Sequence, residues 1–269
     1  MLIVLKTLIL SIIQAFTEFL PISSTAHLLI AGWMMDFNIN DGKLFDTIIQ
    51  LATSLAVFWL YKDKFLHLLT SFFYDKDSRR LCYKICIATI PSVFVGLVFY
   101  NVIKNYLYSI NVIAISLILG GILFLIVEKN KKNQQNGEQF SEITYKKSFL
   151  IGLFQSIAVI PGASRSGMTI IGGLLNKLSR KDAVEFSFFL AVPVMFLASI
   201  FDLYKNYNNL NSSNIPVIII GFISTFLFTI PIIKWFIKFI SANSFKVFAY
   251  YRILFGIVIL MWQFYVKFI

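Results

Sequence analysis

Two short polar clusters interrupt otherwise apolar stretches of this chain. The first runs Gln14-Ala-Phe-Thr-Glu18-Phe-Leu-Pro21-Ile-Ser23-Ser24-Thr25-Ala-His27, the second Pro161-Gly162-Ala163-Ser164-Arg165-Ser166-Gly167-Met168-Thr169. Gln14 and Glu18 stand four apart and share a helix face. An ionisable side chain in apolar surroundings is costly and is a functional candidate, unless it simply reaches water near the surface. After the Pro21 break, Ser23, Ser24 and Thr25 begin a new half-helix whose free N–H groups point at whatever occupies the break. Capping accounts for one or two of these hydroxyls but does not call for His27. In the second cluster, Gly162 lets backbone N–H groups approach an anion, and Ser164, Ser166 and Thr169 add donors. Arg165 supplies a planar fork suited to phosphate oxygens. A buried arginine needs an anion, which is either Glu18 from the other cluster or a ligand. Facing each other, the two clusters read as a phosphate site.

The elements that carry these clusters belong to a membrane. Of 269 residues, 58% are hydrophobic and 14% charged, with mean hydropathy +0.78, whereas a water-facing surface needs roughly 25% charged residues. A helix needs about 20 apolar residues to span a bilayer, and six runs qualify: Phe45–Tyr61, Leu81–Tyr100, Val112–Val127, Ala183–Phe201, Ile215–Ile233 and Val247–Tyr265. Met1–Met35 and Ser148–Leu175 are each broken near the middle by a polar cluster. Their halves are short for a span, so each reads as a re-entrant helix-turn-helix. Met1–Leu20 contains Gln14 and Glu18 and lacks a small-residue cleavage site, so a cleaved signal peptide is not expected.

The net charge of +11 would suggest nucleic acid in a soluble protein, but here the basic residues cluster in the gaps between apolar runs, and no nucleic-acid partner is expected. Lys62, Lys64, Lys76, Arg79, Arg80, Lys129, Lys131, Lys132, Lys146, Lys147, Lys177, Arg180, Lys181, Lys234, Lys238 and Lys246 all fall on one side if the six runs span and the broken segments do not. The positive-inside rule makes that side cytoplasmic and both termini extracytoplasmic. The chain also repeats itself at an offset of about 140 residues. Asp46 and Leu51-Ala-Thr-Ser follow the first break as Glu185 and Leu190-Ala-Val-Pro follow the second. The fold predicted is an all-α polytopic membrane protein with six transmembrane helices and two re-entrant segments. It forms one integral membrane domain over 1–269, with inverted repeats at about 1–127 and 148–269 and a cytoplasmic linker at 128–147. Inverted repeats with broken helices place a site near the midplane. Asp46 and Glu185 are expected to play matching structural roles, Arg252 to pair with an acid or a backbone carbonyl, and Cys82 and Cys86 to be packing residues.

On these motifs the chain resembles the undecaprenyl-diphosphate phosphatases, the bacitracin-resistance membrane proteins of bacteria. The family's Glu/Gln-x-x-x-Glu stands as Gln14 to Glu18, with Pro-Ile-Ser-Ser-Thr-Ala-His following, and its Pro-Gly-x-Ser-Arg-Ser-x-x-Thr stands as Pro161 to Thr169. Glu185 to Pro193 and Tyr250-Tyr-Arg252 also match. The resemblance implies a metal-assisted, multi-pass phosphatase of the bacterial cytoplasmic membrane. It would remove the terminal phosphate of a C55 isoprenyl diphosphate and so serve cell-wall synthesis and bacitracin resistance; a homodimer is left open. Glu18, Ser24, His27 and Arg165 would be catalytic, Ser23, Thr25, Gly162, Ser164, Ser166 and Thr169 would bind phosphate, and Gln14 would support them. A diphosphate carries about two to three negative charges, which Arg165 alone does not balance, so a divalent cation (Mg2+ or Ca2+) held by Glu18 is expected. Two nucleophiles stay open: His27 itself, or Ser24 with His27 or Glu18 taking its proton. Ser24 is favoured by its place at a half-helix N-terminus. The competing class is a transporter or flippase of a phosphate-bearing lipid, which would need the same anion-binding breaks but has less need of a nucleophile and a proton shuttle.

Overall fold

A computed structural model describes residues 1–37, 43–129, 137–206 and 214–267. The described residues form helices without a strand, apart from one isolated β-bridge between Glu138 and Leu178. In chain order the helices are α1 (Leu2–Thr17), α2 (Ser24–Met34), α3 (Lys43–Leu60), α4 (Lys62–Thr70), α5 (Lys76–Val98), the three-residue α6 (Tyr100–Val102) leading into a π-helical turn (Ile103–Leu107), α7 (Ile110–Glu128), α8 (Tyr145–Ile157), α9 (Arg165–Leu175), α10 (Arg180–Asn206), α11 (Ile215–Ala242) and α12 (Lys246–Lys267).

Local chemistry explains their starts. Asp75 caps α5 by accepting from Ser78 N (2.8 Å), Ser109 caps α7 from Val112 N (3.3 Å) and Thr144 caps α8 from Lys147 N (3.3 Å). Ser179 and Asp182 cap α10 reciprocally, the Ser179 hydroxyl accepting from Asp182 N at 3.1 Å while donating to the Asp182 carboxylate. The four backbone N–H bonds among these satisfy donors that the helices themselves leave free.

Among the described residues five helices are long and apolar enough to cross a membrane, and α3 joins them only when taken together with α4, from which it is bent by 75°. The sequence predicts Phe45–Tyr61 as a span in its own right; it is the most polar of the six because Asp46, Thr47, Gln50, Thr53 and Ser54 face inward rather than toward lipid. On α7 the outward stripe Ile115, Leu119, Ile122 and Ile126 is exposed, while Leu117, Phe124 and Glu128 are buried. Helices apolar on both faces are what a lipid solvent permits. By contrast α2 and α9 have eleven residues each, about 16 Å at 1.5 Å per residue, half a hydrocarbon core.

The packing pairs follow a pattern. α1 packs on α11 and α8 on α5; α3 packs on α11 and α10 on α5; α3 meets α10, and α7 meets α12. Exchanging α1, α2, α3, α5 and α7 for α8, α9, α10, α11 and α12 maps these pairings onto one another. The central core is aromatic, with Phe19 edge-on to Phe188 (centroids 5.2 Å apart) and Phe236 edge-on to Phe248 (5.6 Å). The exchange is not exact, and one departure bears on the site. α9 packs against α10, whereas a cavity lies between the corresponding α2 and α3.

Of the expected linker 128–147, positions 130–136 lie outside the described residues. Cys82 is half-buried, but Cys86 is exposed rather than packed. Glu185 pairs with Lys64 (3.3 Å), while its counterpart Asp46 has no ion-pair partner among the described residues, where the two acids therefore differ.

Candidate active site

Both breaks turn at a serine held in a conformation L-residues rarely adopt: Ser23 at φ 72°, ψ 96° and Ser164 at φ 73°, ψ 114°. Each precedes the first residue of a half-helix, and such backbone costs of order 1–3 kcal/mol, which the surrounding structure must offset. The chemical consequence is that Ser24 and Arg165 occupy equivalent positions, both aimed at Glu18.

Glu18 is buried at the end of α1, 5% exposed. Its Oε2 accepts from the Ser24 hydroxyl (2.6 Å) and from Gln14 Nε2 (3.1 Å), and its Oε1 accepts from Arg165 Nη2 (3.1 Å). Both partners of the Glu18–Arg165 ion pair are largely withdrawn from water, at 3% and 13% side-chain exposure. Buried charges of this kind persist only when their remaining hydrogen-bonding capacity is also met. Arg165 Nη1 donates to Ser187 O (3.1 Å), Nη2 also reaches Met195 Sδ (3.1 Å), and the guanidinium lies 5.2 Å from the Phe19 ring centroid. Its Nε alone lacks a partner.

The other hydroxyls of the second break hold the loop. Ser164 Oγ accepts from Gly167 N (3.1 Å) and contacts Ser166 Oγ (3.1 Å), and Ser166 donates to Leu20 O of the first break (3.1 Å). Thr169 donates to Arg165 O (2.9 Å) and shares a hydrogen bond with Ser187 (2.7 Å). Gly162 has φ 91°, and a Cβ there would collide with the Ile113 carbonyl, so no other residue fits without strain.

Arg252 ties the two breaks together. It is fully buried and takes the backbone-carbonyl option of its sequence expectation, donating to Pro21 O (2.9 Å), Ala163 O (2.9 Å), Gly162 O (3.2 Å), Ser116 O (3.2 Å) and Leu117 O (3.3 Å). Its guanidinium lies where a Cβ on Gly120 would stand. Five carbonyl dipoles replace a carboxylate here, and they come from both breaks and α7.

His27 stands apart from this centre. Its Nδ1 lies 2.7 Å from Ser23 O, and a carbonyl only accepts, so Nδ1 carries the proton and Nε2 accepts from the Tyr251 hydroxyl at 2.7 Å. The ring stacks on Phe255 (4.6 Å) and Tyr251 (5.7 Å). Spacing alone places Ser24 and His27 on one face; the structure turns the Ser24 hydroxyl to Glu18 and engages both His27 nitrogens elsewhere. Ser23 is the N-cap residue of α2 but makes no side-chain cap bond, contrary to the capping expected of it, and contributes its carbonyl instead. Sequence reasoning missed Ser187 and Tyr251. Ser187 is a lone hydroxyl within an apolar span, and Tyr251 lies in a segment noted only for Arg252.

A cavity of about 300 Å³ lies beside Ser24, lined also by Gln14, Thr25, Leu28, Pro161, Asp46, Gln50, Tyr100, Ile103, Tyr108 and Asp202. Both carboxylate oxygens of Glu18 accept hydrogen bonds, from Arg165, Gln14 and Ser24, so a cation held there would share the carboxylate with these donors. Three metal-ligating side chains do not converge among the described residues.

The family model described as bacitracin resistance protein BacA matches residues 7–258. An undecaprenyl-diphosphatase of Acinetobacter baumannii is 43% identical over 259 residues, 96% of this chain and 95% of that protein. One of Nitrosospira multiformis is 44% identical over 257 residues, 96% and 94% of the two chains, and undecaprenyl-diphosphatase 2 of Shewanella oneidensis is 42% identical over 257 residues, 95% and 96%. With its helices long and apolar enough for a multi-pass membrane protein and both motifs joined at Glu18, the chain belongs to the bacitracin resistance protein BacA family.

Proposed function

We propose that this protein is a membrane phosphatase that hydrolyses undecaprenyl diphosphate to undecaprenyl phosphate and inorganic phosphate, recycling the lipid carrier for cell-wall synthesis in the bacterial cytoplasmic membrane. The carrying observation is the Glu18 carboxylate, which accepts the Ser24 hydroxyl at 2.6 Å and anchors Arg165 of the other break at 3.1 Å. In this reading Ser24 Oγ attacks the terminal phosphorus and its proton passes to Glu18 Oε2. The bond to the departing undecaprenyl phosphate breaks. Water then cleaves the Ser24 phosphoester, releasing inorganic phosphate and restoring the hydroxyl. Arg165 Nε and the free N–H groups at the start of α2 hold the non-bridging oxygens, and Thr25 adds a hydroxyl from the cavity wall. His27 positions the Ser23 carbonyl and hence the turn that presents Ser24.

The topology that accompanies this reading has six spans and two re-entrant pairs, α1–α2 and α8–α9, in an inverted repeat. It is supported by the exchange symmetry of the packing, by the equivalent serines 23 and 164, and by the one-sided basic residues. The cavity is lined by Tyr100, Ile103, Tyr108 and Asp202 from the ends of gaps poor in basic residues, which supports a site on the extracytoplasmic side. After replacement of Cys82 and Cys86, cysteines placed by Arg79→Cys and Lys177→Cys should label from the same side; opposite sides would overturn the topology. Phosphate release from C55 diphosphate by purified protein in detergent tests the reaction. Release should be abolished by Ser24→Ala and by EDTA, and no release by the wild-type chain refutes it.

A further inference from the structure

Arg165 is a long side chain at the start of a half-helix, and a guanidinium that must meet a phosphate in one orientation has to be held in it. Part of what holds it lies outside both breaks. Thr169, one turn along α9, donates its hydroxyl to Arg165 O (2.9 Å) and comes within 3.0 Å of Ser166 O. A hydroxyl has a single proton, so the 2.7 Å bond between Thr169 Oγ1 and Ser187 Oγ is donated by Ser187. The Ser187 oxygen is then left as an acceptor, and Arg165 Nη1 lies 3.4 Å from it and 3.1 Å from the carbonyl of the same residue. These contacts close a ring, from the Arg165 backbone through Thr169 and Ser187 back to the Arg165 guanidinium. Thr169 is 1% and Ser187 0% exposed, so both hydroxyls are committed inside the protein.

A buried serine and threonine on facing helices are often no more than interhelical glue. The repeat argues against that here. Ser24 and Arg165 are equivalent, and Leu28 stands four after Ser24 as Thr169 stands four after Arg165; Ile48 follows Asp46 by two as Ser187 follows Glu185. The half that begins its short helix with a serine thus has apolar residues at both positions and a cavity between α2 and α3. The half that begins with an arginine has two hydroxyls there and closed packing of α9 on α10. The hydroxyls occur where there is a guanidinium to hold. We infer that Ser187, together with Thr169, is a positioning residue for Arg165: it fixes the Nη1 edge of the guanidinium on α10, so that Nη2 meets Glu18 and the fork is presented to phosphate in one orientation. The inference rests on the phosphatase reading and deepens it. An arginine free to turn would still carry its charge into the site, but misplacing a catalytic group by about 1 Å costs on the order of 10²-fold in rate.

A double-mutant cycle tests this, read as kcat/KM for phosphate release from C55 diphosphate by the full-length protein in detergent, with monodispersity and melting temperature measured alongside. Ser187→Ala keeps the carbonyl and deletes the hydroxyl, and should lower kcat/KM at least about tenfold, as loss of a bond to a charged group does. In an Arg165→Lys background, where no fork remains to be oriented, the same change should lower it less than about threefold. A serine needed only for packing would lower it equally in both backgrounds. Should Ser187→Ala not give monodisperse protein, Thr169→Val, which cuts the ring at its other hydroxyl, decides by the same comparison. A folded Ser187→Ala enzyme within about threefold of wild type, equal losses in the two backgrounds, or failure of both variants to fold would overturn the assignment. Equal losses beside full release by the wild type leave the phosphatase standing and the positioning role refuted. No release by the wild type removes the phosphatase reading and the role that rests on it.

Discussion

Replacing Glu18 by Gln changes two atoms' chemistry and almost no volume, which separates the proton-accepting role of the carboxylate from its structural one. In the native site Oε2 accepts from both Ser24 Oγ (2.6 Å) and Gln14 Nε2 (3.1 Å), while Oε1 accepts from Arg165 (3.1 Å). A glutamine amide keeps its oxygen toward Arg165 and turns its NH2 toward Ser24 and Gln14. Gln14 can flip, because its Oε1 has no partner to lose. Ser24 can accept from the amide but can no longer give it a proton. Removing the partner of a buried ion pair costs about 3–5 kcal/mol of stability, and the retained Arg165 bond and the Gln14 flip offset part of it, so the variant should fold. Loss of a general base costs about 10²–10⁴ in rate, or roughly 3–5 kcal/mol of transition-state stabilisation. The assay is kcat for phosphate release from C55 diphosphate, with monodispersity and melting temperature measured in parallel. A folded Glu18→Gln enzyme within tenfold of wild type, beside an inactive Ser24→Ala, would refute Glu18 as the proton acceptor.

Arg165→Lys keeps the charge but loses the fork that reaches Ser187 and Glu18 together and the Nε left for phosphate, and kcat/KM should fall at least about 100-fold. Gly162→Ala sets a Cβ against the Ile113 carbonyl at φ 91°; thermal unfolding in detergent should show destabilisation of about 2–5 kcal/mol. Tyr251→Phe deletes the hydroxyl bound to His27 Nε2 and should slow turnover about tenfold, the worth of one hydrogen bond. A faster enzyme would instead mean that Nε2 had been released for attack and that His27 is the nucleophile. Gln14→Glu sets a second carboxylate 3.1 Å from Glu18 Oε2; because the motif takes either residue at this position, phosphate release should stay within about tenfold of wild type in a kcat assay.

Much of this protein is legible without coordinates, and for a physical reason. Lipid as solvent makes hydropathy a direct readout of helices, and all six apolar runs fall on α3, α5, α7, α10, α11 and α12. Pro21, Pro161 and Gly162 mark the breaks because such residues interrupt or redirect a helix wherever they stand. The residue types of the two motifs likewise named phosphate chemistry and most of the side chains that meet at Glu18. What the chain alone left open concerns partners distant in sequence and the direction of single bonds. Whether Arg165 met a ligand or Glu18, 147 residues away, depended on how α1 and α9 pack. Whether Ser24 turned to Glu18 or to His27, both within one helical turn or so, depended on the left-handed Ser23 and on Tyr251 from α12. Arg252 offered several acids and carbonyls as partners, and only the approach of both breaks to α7 gathered five carbonyls around it. Asp46 and Glu185, equivalent in sequence, diverged because Lys64 reaches one of them and a cavity adjoins the other. Solvent preference is a property each residue carries with it, whereas pairing is decided by the three-dimensional meeting of surfaces that no single segment encodes.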